Sequence, residues 1–235
     1  MSPYLAEFFG TLLIVLLIDG VVAGVILKGT KSENAGWLTI VFACGIAVTL
    51  AIYAVGDASG AHLNPALTIA LASIGSFSWD LVPGYCLAQF AGAFAGATLV
   101  WLHYLPHWKA TENQSTKLAV FCTAPAIKHT LGNLISEALG TALLVLAVLF
   151  IGVNSFTEGL KPIVIGALIV SIGLSLGGTT GFAINPARDL GPRLAHFLLP
   201  IHGKGHSDWS YAWVPVVGPL IGGLAGAWIY QLLFV

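Results

Sequence analysis

An Asn-Pro-Ala tripeptide occurs twice in an otherwise apolar chain, at Asn64-Pro65-Ala66 and Asn185-Pro186-Ala187, and this duplication constrains the fold more than any other feature. Proline suits the first position of a helix, where its missing N–H has no partner in any case. The Asn before it is a favoured cap, whose side-chain oxygen accepts from the helix that begins there. Each copy therefore predicts a helix start, with the Asn amide NH2 left as a donor. A single Asn-Pro-Ala also reads as an ordinary turn, but these two have matching surroundings. At their offset of 121 residues (185 − 64), Gly45 pairs with Gly166 and Gly60 with Gly181. At an offset of 130, Glu7, Gly10 and Thr11 recur as Glu137, Gly140 and Thr141, and Gly92-Ala93 with Gly96-Ala97 recur as Gly222-Gly223 with Gly226-Ala227. The chain reads as a single domain of two related halves, 1–103 and 131–235, joined by a polar loop over 104–130 in which no chemistry is apparent.

The solvent for this fold is lipid. Charged residues make up 8% of the chain and hydrophobic ones 57%, where soluble proteins average roughly 25% charged. A helix needs about 20 apolar residues to cross the hydrocarbon, and six stretches qualify: about 4–27, 37–56, 79–102, 131–153, 162–181 and 213–234. Both tripeptides fall outside them. The helices they start, Ala66 to about Ser73 and Ala187 to about Leu198, are too short to cross and are read as re-entrant. Three spans per half turn the second half upside down relative to the first. The expected fold is all-α: six transmembrane helices and two re-entrant half-helices in two inverted repeats, with two positive helix ends and two Asn donors meeting at the midplane. The approaches to the tripeptides are expected to stay extended. Gly60, Ala61, His62 and Leu63 in one, and Gly181, Ala183 and Ile184 in the other, would line the lumen with backbone, because irregular chain at this depth cannot face lipid.

Acidic groups inside spans are costly unless they face protein or water. Glu7 and Glu137, which repeat one another, are read as acceptors for backbone N–H groups of the non-helical approaches, ahead of a proton relay. Asp19 has no counterpart in the second half and receives no role. His62 is read as fixed by local hydrogen bonds, and His103, His107, His202 and His206 as solvated loop residues. Cys44, Cys86 and Cys122 form neither a disulfide framework nor a metal spacing. A net charge of −1 gives no reason to expect a nucleic-acid partner. No nucleophile, base and orienting group fall together, so neither an enzyme nor a cofactor is expected. The first apolar stretch lacks a cleavage site and should remain as the first span.

With these residues in place, the whole chain resembles the major intrinsic protein family, the aquaporins and glycerol facilitators, whose mark is twin Asn-Pro-Ala motifs in inverted halves. Asp189 after Arg188, Arg193 four residues on, Pro215 and the aliphatic Val216 resemble the glycerol-conducting branch of bacterial facilitators. The resemblance implies a homotetramer in the cell membrane with one pore per subunit for small neutral solutes. It also implies an outer constriction cornered by Cys44, Gly173, Phe182 and Arg188. Independently, Arg188 lies three residues after Asn185 and shares its helix face, which aims the guanidinium into the lumen. Asp189 points about 100° away and is read as support, paired with a cation for which Arg193 is nearest.

Typical glycerol facilitators have tryptophan at the position of Cys44. Phe42 cannot replace it, since two helical residues turn the side chain by about 200°. A wider, less greasy constriction and a mercury-sensitive thiol are therefore expected. Some facilitators of lactic acid bacteria resemble this pattern and conduct undissociated lactic acid. The expected function is a passive channel for glycerol, undissociated lactic acid, water and small polyols. A proton-coupled transporter is the competing reading, since inverted repeats with broken helices serve transporters too and Asp19 could titrate. The family topology would leave Lys28, Lys31, Lys109, Lys117, Lys128 and Lys204 outside, against the positive-inside tendency.

Overall fold

A computed structural model describes residues 1–235, which form ten α-helices and no strand. These are α1 (Pro3–Ile26), α2 (Trp37–Ser59), α3 (Pro65–Ser73), α4 (Val82–His103), α5 (Leu105–Ala110), α6 (Gln114–Phe121), α7 (Thr130–Gly152), α8 (Leu160–Ser175), α9 (Pro186–Leu198) and α10 (Val214–Phe234). Six of them are the crossing helices α1, α2, α4, α7, α8 and α10, and the short α3 and α9 begin at the two tripeptides. Their caps are local: Ser2 accepts from Leu5 N–H ahead of Pro3, and Gly60, at φ 79°, closes α2 in the left-handed conformation.

One span is shorter than its sequence. The apolar stretch at 162–181 becomes a helix of 16 residues that stops at Ser175. Gly177-Gly178-Thr179-Thr180 is poor helix sequence, and the chain turns there, with Gly181 N–H donating to Gly177 O at 2.9 Å.

The packing repeats between halves. α1 lies along α4 as α7 lies along α10, and each half-helix packs against the other half, α3 on α10 and α9 on α4. Lipid gives no hydrophobic drive to such contacts, so close backbone approach must supply them. Glycine permits that approach where the repeats cross: a Cβ on Gly45 would lie 2.6 Å from Gly166 O, and one on Gly166 2.7 Å from Gly45 O. Likewise Gly92 rests on the α1 backbone at Phe8 and Leu12, and Gly222 on the α7 backbone at Ala138.

The segment 104–130 is not the plain polar loop expected. It folds into α5 and α6, whose Trp108 and Phe121 are buried and stacked at 5.5 Å between ring centroids. Asn113 caps α6 by accepting from Thr116 N–H at 3.1 Å. These two rings join a cluster with Val15, Ala93 and Ala187, which ties the segment to the second half-helix and brings it to the pore.

Candidate solute pathway

The approaches to the tripeptides are not extended. Ala61 and Leu63 have φ of 51° and 53°, and at the 121-residue offset Phe182 and Ile184 have 41° and 42°. Left-handed backbone costs a side-chain-bearing residue about 1–2 kcal/mol, and it persists here because a carboxylate grips each turn. Glu7 accepts from His62 N–H (2.9 Å) and Leu63 N–H (2.6 Å), with Ser59 Oγ and Gln89 Nε2 also donating at 2.7 Å. Glu137 accepts from Ala183 N–H (3.0 Å), Ile184 N–H (2.8 Å) and Thr180 Oγ1 (2.6 Å). Both carboxylates are fully buried. The ring of His62 packs against Phe77 and Tyr85 and faces Thr68 Oγ1 at 3.2 Å.

The tripeptides meet. Asn64 Oδ1 accepts from Ala66 N–H, and Asn185 Oδ1 accepts from Ala187 and Arg188 N–H, so each Asn caps its own half-helix. Their amides are not wholly free donors: Asn64 Nδ2 donates to Ile184 O and Asn185 Nδ2 to Leu63 O, each at 2.8 Å. One N–H of each NH2 pins the halves together. The second N–H of each amide remains.

A cavity of about 730 Å³ runs past this junction. Trp37 and Arg188 line one end, Asn64 and Asn185 the middle, and Lys161 and Tyr230 the other. The ends are opposite because α2 and α8 are antiparallel: Trp37 Nε1 donates to Gly173 O, while Tyr53 OH near the far end of α2 donates to Gly159 O. Hydrophobic residues make up 26 of the 36 that line it, which leaves few polar groups to replace a solute's water. Gly60, Ala61, His62 and Leu63, with Gly181, Phe182, Ala183 and Ile184, all belong to the lining.

At the Arg188 end, Arg188 Nη1 donates to Asp19 Oδ1 at 3.3 Å and to Phe121 O at 3.5 Å. Nη2 and Nε make no hydrogen bond within the chain. Asp189 turns away, accepting from Thr123 N–H and Oγ1 and pairing with Arg193. Gly173 leaves room for the Phe182 ring, since a Cβ there would stand 2.9 Å from Phe182 Cζ. Cys44 lines the cavity but is only 1% exposed, enclosed with Ile18, Ile40 and Ile172, whereas Phe42 is 50% exposed and faces outward. The mouth nevertheless has a second aromatic ring. Trp37, seven residues before Cys44 and so on the same helix face, packs edge-on to Phe182 at 5.7 Å. The expectation of a less greasy mouth with an accessible thiol is corrected on both counts.

The sequence profile of the major intrinsic proteins matches residues 1–230. The chain belongs to the major intrinsic protein family. Among its curated relatives, a probable glycerol uptake facilitator protein of Thermotoga maritima is 58% identical over the full length of both chains. The glycerol uptake facilitator protein of Bacillus subtilis is 57% identical, covering all of this chain and 85% of that one. A D/L-lactic acid transporter of Lactiplantibacillus plantarum is 36% identical, covering 98% of this chain and 97% of that one. Of solved structures, the X-ray structure of the aquaglyceroporin from Plasmodium falciparum superposes with a TM-score of 0.86 at 30% identity, over 98% of this chain and 95% of that one. As a bacterial-type major intrinsic protein of the facilitator branch, the chain is a passive membrane channel and not an enzyme.

The two Asn, Arg188 and the approach residues expected from the sequence line this cavity, Trp37 and Phe121 are additions that the structure makes, and Asp19 gains a partner. The spacing of seven between Trp37 and Cys44 was a usable signal for Trp37. Nothing local pointed to the contact of Asp19 with a residue 169 positions later.

Proposed function

We propose that this pore conducts small uncharged polyols down their gradient, with glycerol as the principal solute, and that water and undissociated lactic acid share the path. One observation carries the reading. A pair of aromatic rings, Trp37 and Phe182, lines the same mouth as a guanidinium with two unengaged nitrogens. A polyol has a hydrocarbon edge for the rings and hydroxyl acceptors for Arg188 Nη2 and Nε. Gly173, Phe182 and Arg188 are the filter in this proposal, with Trp37 as its second ring and Cys44 as the enclosed fourth corner behind them.

Further along, the remaining N–H of Asn64 and of Asn185 replaces hydration at the midplane. The positive ends of α3 and α9 oppose cations there, and paired donors orient a central water so that protons cannot hop past it. Glu7, Glu137 and Asp189 hold the geometry rather than touch the solute. A proton-coupled cycle is disfavoured because Asp19 is fully buried and paired with Arg188. The assembly proposed with this function is a homotetramer in a lipid bilayer, with the Arg188 mouth outward.

The relatives' names support placing glycerol ahead of lactic acid in this proposal, since the two that name glycerol are the more similar and the one that names lactic acid the less. Stopped-flow light scattering on proteoliposomes decides. Fast glycerol entry at pH 7, with slower lactic acid entry that appears on acidification, is expected. Lactic acid flux without glycerol flux would overturn the ranking, and flux of neither would overturn the function.

A further inference from the structure

Asp19 is a buried charged side chain in direct contact with Arg188 that the pathway does not use. It is fully buried in α1, does not line the cavity, and stands behind Arg188 with Oδ1 3.3 Å from Nη1. Its second oxygen has no partner in the protein. A carboxylate placed out of reach of the solute, with a single charged contact, is an expensive arrangement in hydrocarbon surroundings.

We propose that Asp19 is a positioning residue that sets the charge selectivity of the filter: it cancels the positive charge of Arg188 while holding its guanidinium so that Nη2 and Nε face the solute. The proposal rests on Arg188 lining the conducting pore. Two features of the geometry carry it. Both hydrogen bonds of the guanidinium, to Asp19 and to Phe121 O, are made by Nη1, which orients the fork without consuming its other donors. The other fixed charge at this depth is already matched, because the Asp189 carboxylate is engaged by Arg193. Arg188 without Asp19 would therefore add a net positive charge to a mouth that already faces the positive ends of two half-helices. Such a pore would favour anions. With Asp19, the mouth offers hydrogen-bond donors but no net charge, which suits neutral solutes and refuses ions of both signs.

The test is a cycle of four proteins in proteoliposomes: the parent, Asp19→Asn, Arg188→Gln, and the double variant. Formate and ammonium fluxes are read at pH 7 as ratios to glycerol flux, with tetramer integrity checked by size-exclusion chromatography. Asp19→Asn should raise the formate-to-glycerol ratio by about tenfold or more, because one charge in a low-dielectric site is poorly screened. The double variant carries neither charge, so its formate-to-glycerol ratio should fall back to that of the parent. Arg188→Gln alone leaves the buried carboxylate without a partner, and such a group takes up a proton rather than keep its charge, so its ammonium-to-glycerol ratio should stay at the parent level. Where Asp19→Asn does not assemble, Asp19→Ser takes its place. A formate ratio that the Asp19 variant leaves unchanged, or that the double variant does not bring back, would overturn the proposal while parent glycerol flux left the channel reading intact. A parent that passes no glycerol would instead refute the channel reading on which the proposal rests.

Discussion

At the scale of single residues, the pathway depends on side chains that never touch the solute. Glu137 accepts two backbone N–H groups and one hydroxyl from the turn before Asn185, and hydrogen bonds to a charged group contribute about 1.5–3 kcal/mol each. Glu137→Ala should cost about 3 kcal/mol or more and release Phe182 and Ile184 from their left-handed φ. Thermal unfolding in detergent and loss of glycerol flux check this; an unshifted midpoint would show that the turn holds itself. Cys44 makes the opposite case. Reactivity requires exposure, and a thiol 1% exposed has little. Mercurials should leave glycerol flux unchanged, and Cys44→Ser should behave as the parent does. Trp37→Ala, in contrast, should admit polyols longer than glycerol, because it removes the ring that stands on Phe182; the same longer polyols measured on the parent provide the baseline.

At the scale of elements, glycine decides how near the helices come. A Cβ on Gly222 would stand 2.7 Å from the backbone carbon of Ala138, and one on Gly20 would meet nothing within 4 Å. Gly222→Val should prevent folding, read as loss of the parent's peak in size-exclusion chromatography, and Gly20→Ala should be accumulated and conduct as the parent does. Normal assembly of Gly222→Val would mean that α7 and α10 can part without harm. These contacts were legible in the sequence because their glycines repeat at a fixed offset. The half-helices were legible for a different reason: an Asn cap and a proline at the first helical position are local rules. What could not be read is whatever depends on where two helices lie relative to each other. The left-handed turns arise from carboxylates on other helices, the Asp19–Arg188 pair joins α1 to α9, and α6 gains its place from the burial of Phe121 against the second half-helix. The early end of α8 had a visible cause in Gly177-Gly178, hidden by the apolar run around it.

On the scale of the whole molecule, charge is arranged so that little of it is free near the path. Lys117 donates to His202 O, and Lys204 to the carbonyls of His196, Phe197 and Leu199 that end α9. Burial lowers both ammonium pKa values from the ordinary lysine value. Lys28 is engaged by Glu33. Half of the six lysines that run against the positive-inside tendency are thus tied to this structure. A path 26 of whose 36 lining residues are hydrophobic has few groups to replace the water around an anion, and taking a carboxylate out of water costs several kcal/mol. Lactic acid should therefore cross in its neutral form. An acid with a pKa of about 3.9 is about a hundredfold richer in that form at pH 5 than at pH 7. Flux per total lactate should rise by about that factor between those values, while glycerol flux, which has no such equilibrium, stays level. The sign follows from the solute and not from the protein, so Asp19→Asn supplies the contrast: a mouth with a net positive charge should pass lactate at pH 7 and flatten the profile. A flat profile in the parent would mean that the anion crosses, and that Arg188 is less well neutralised than its 3.3 Å contact with Asp19 implies.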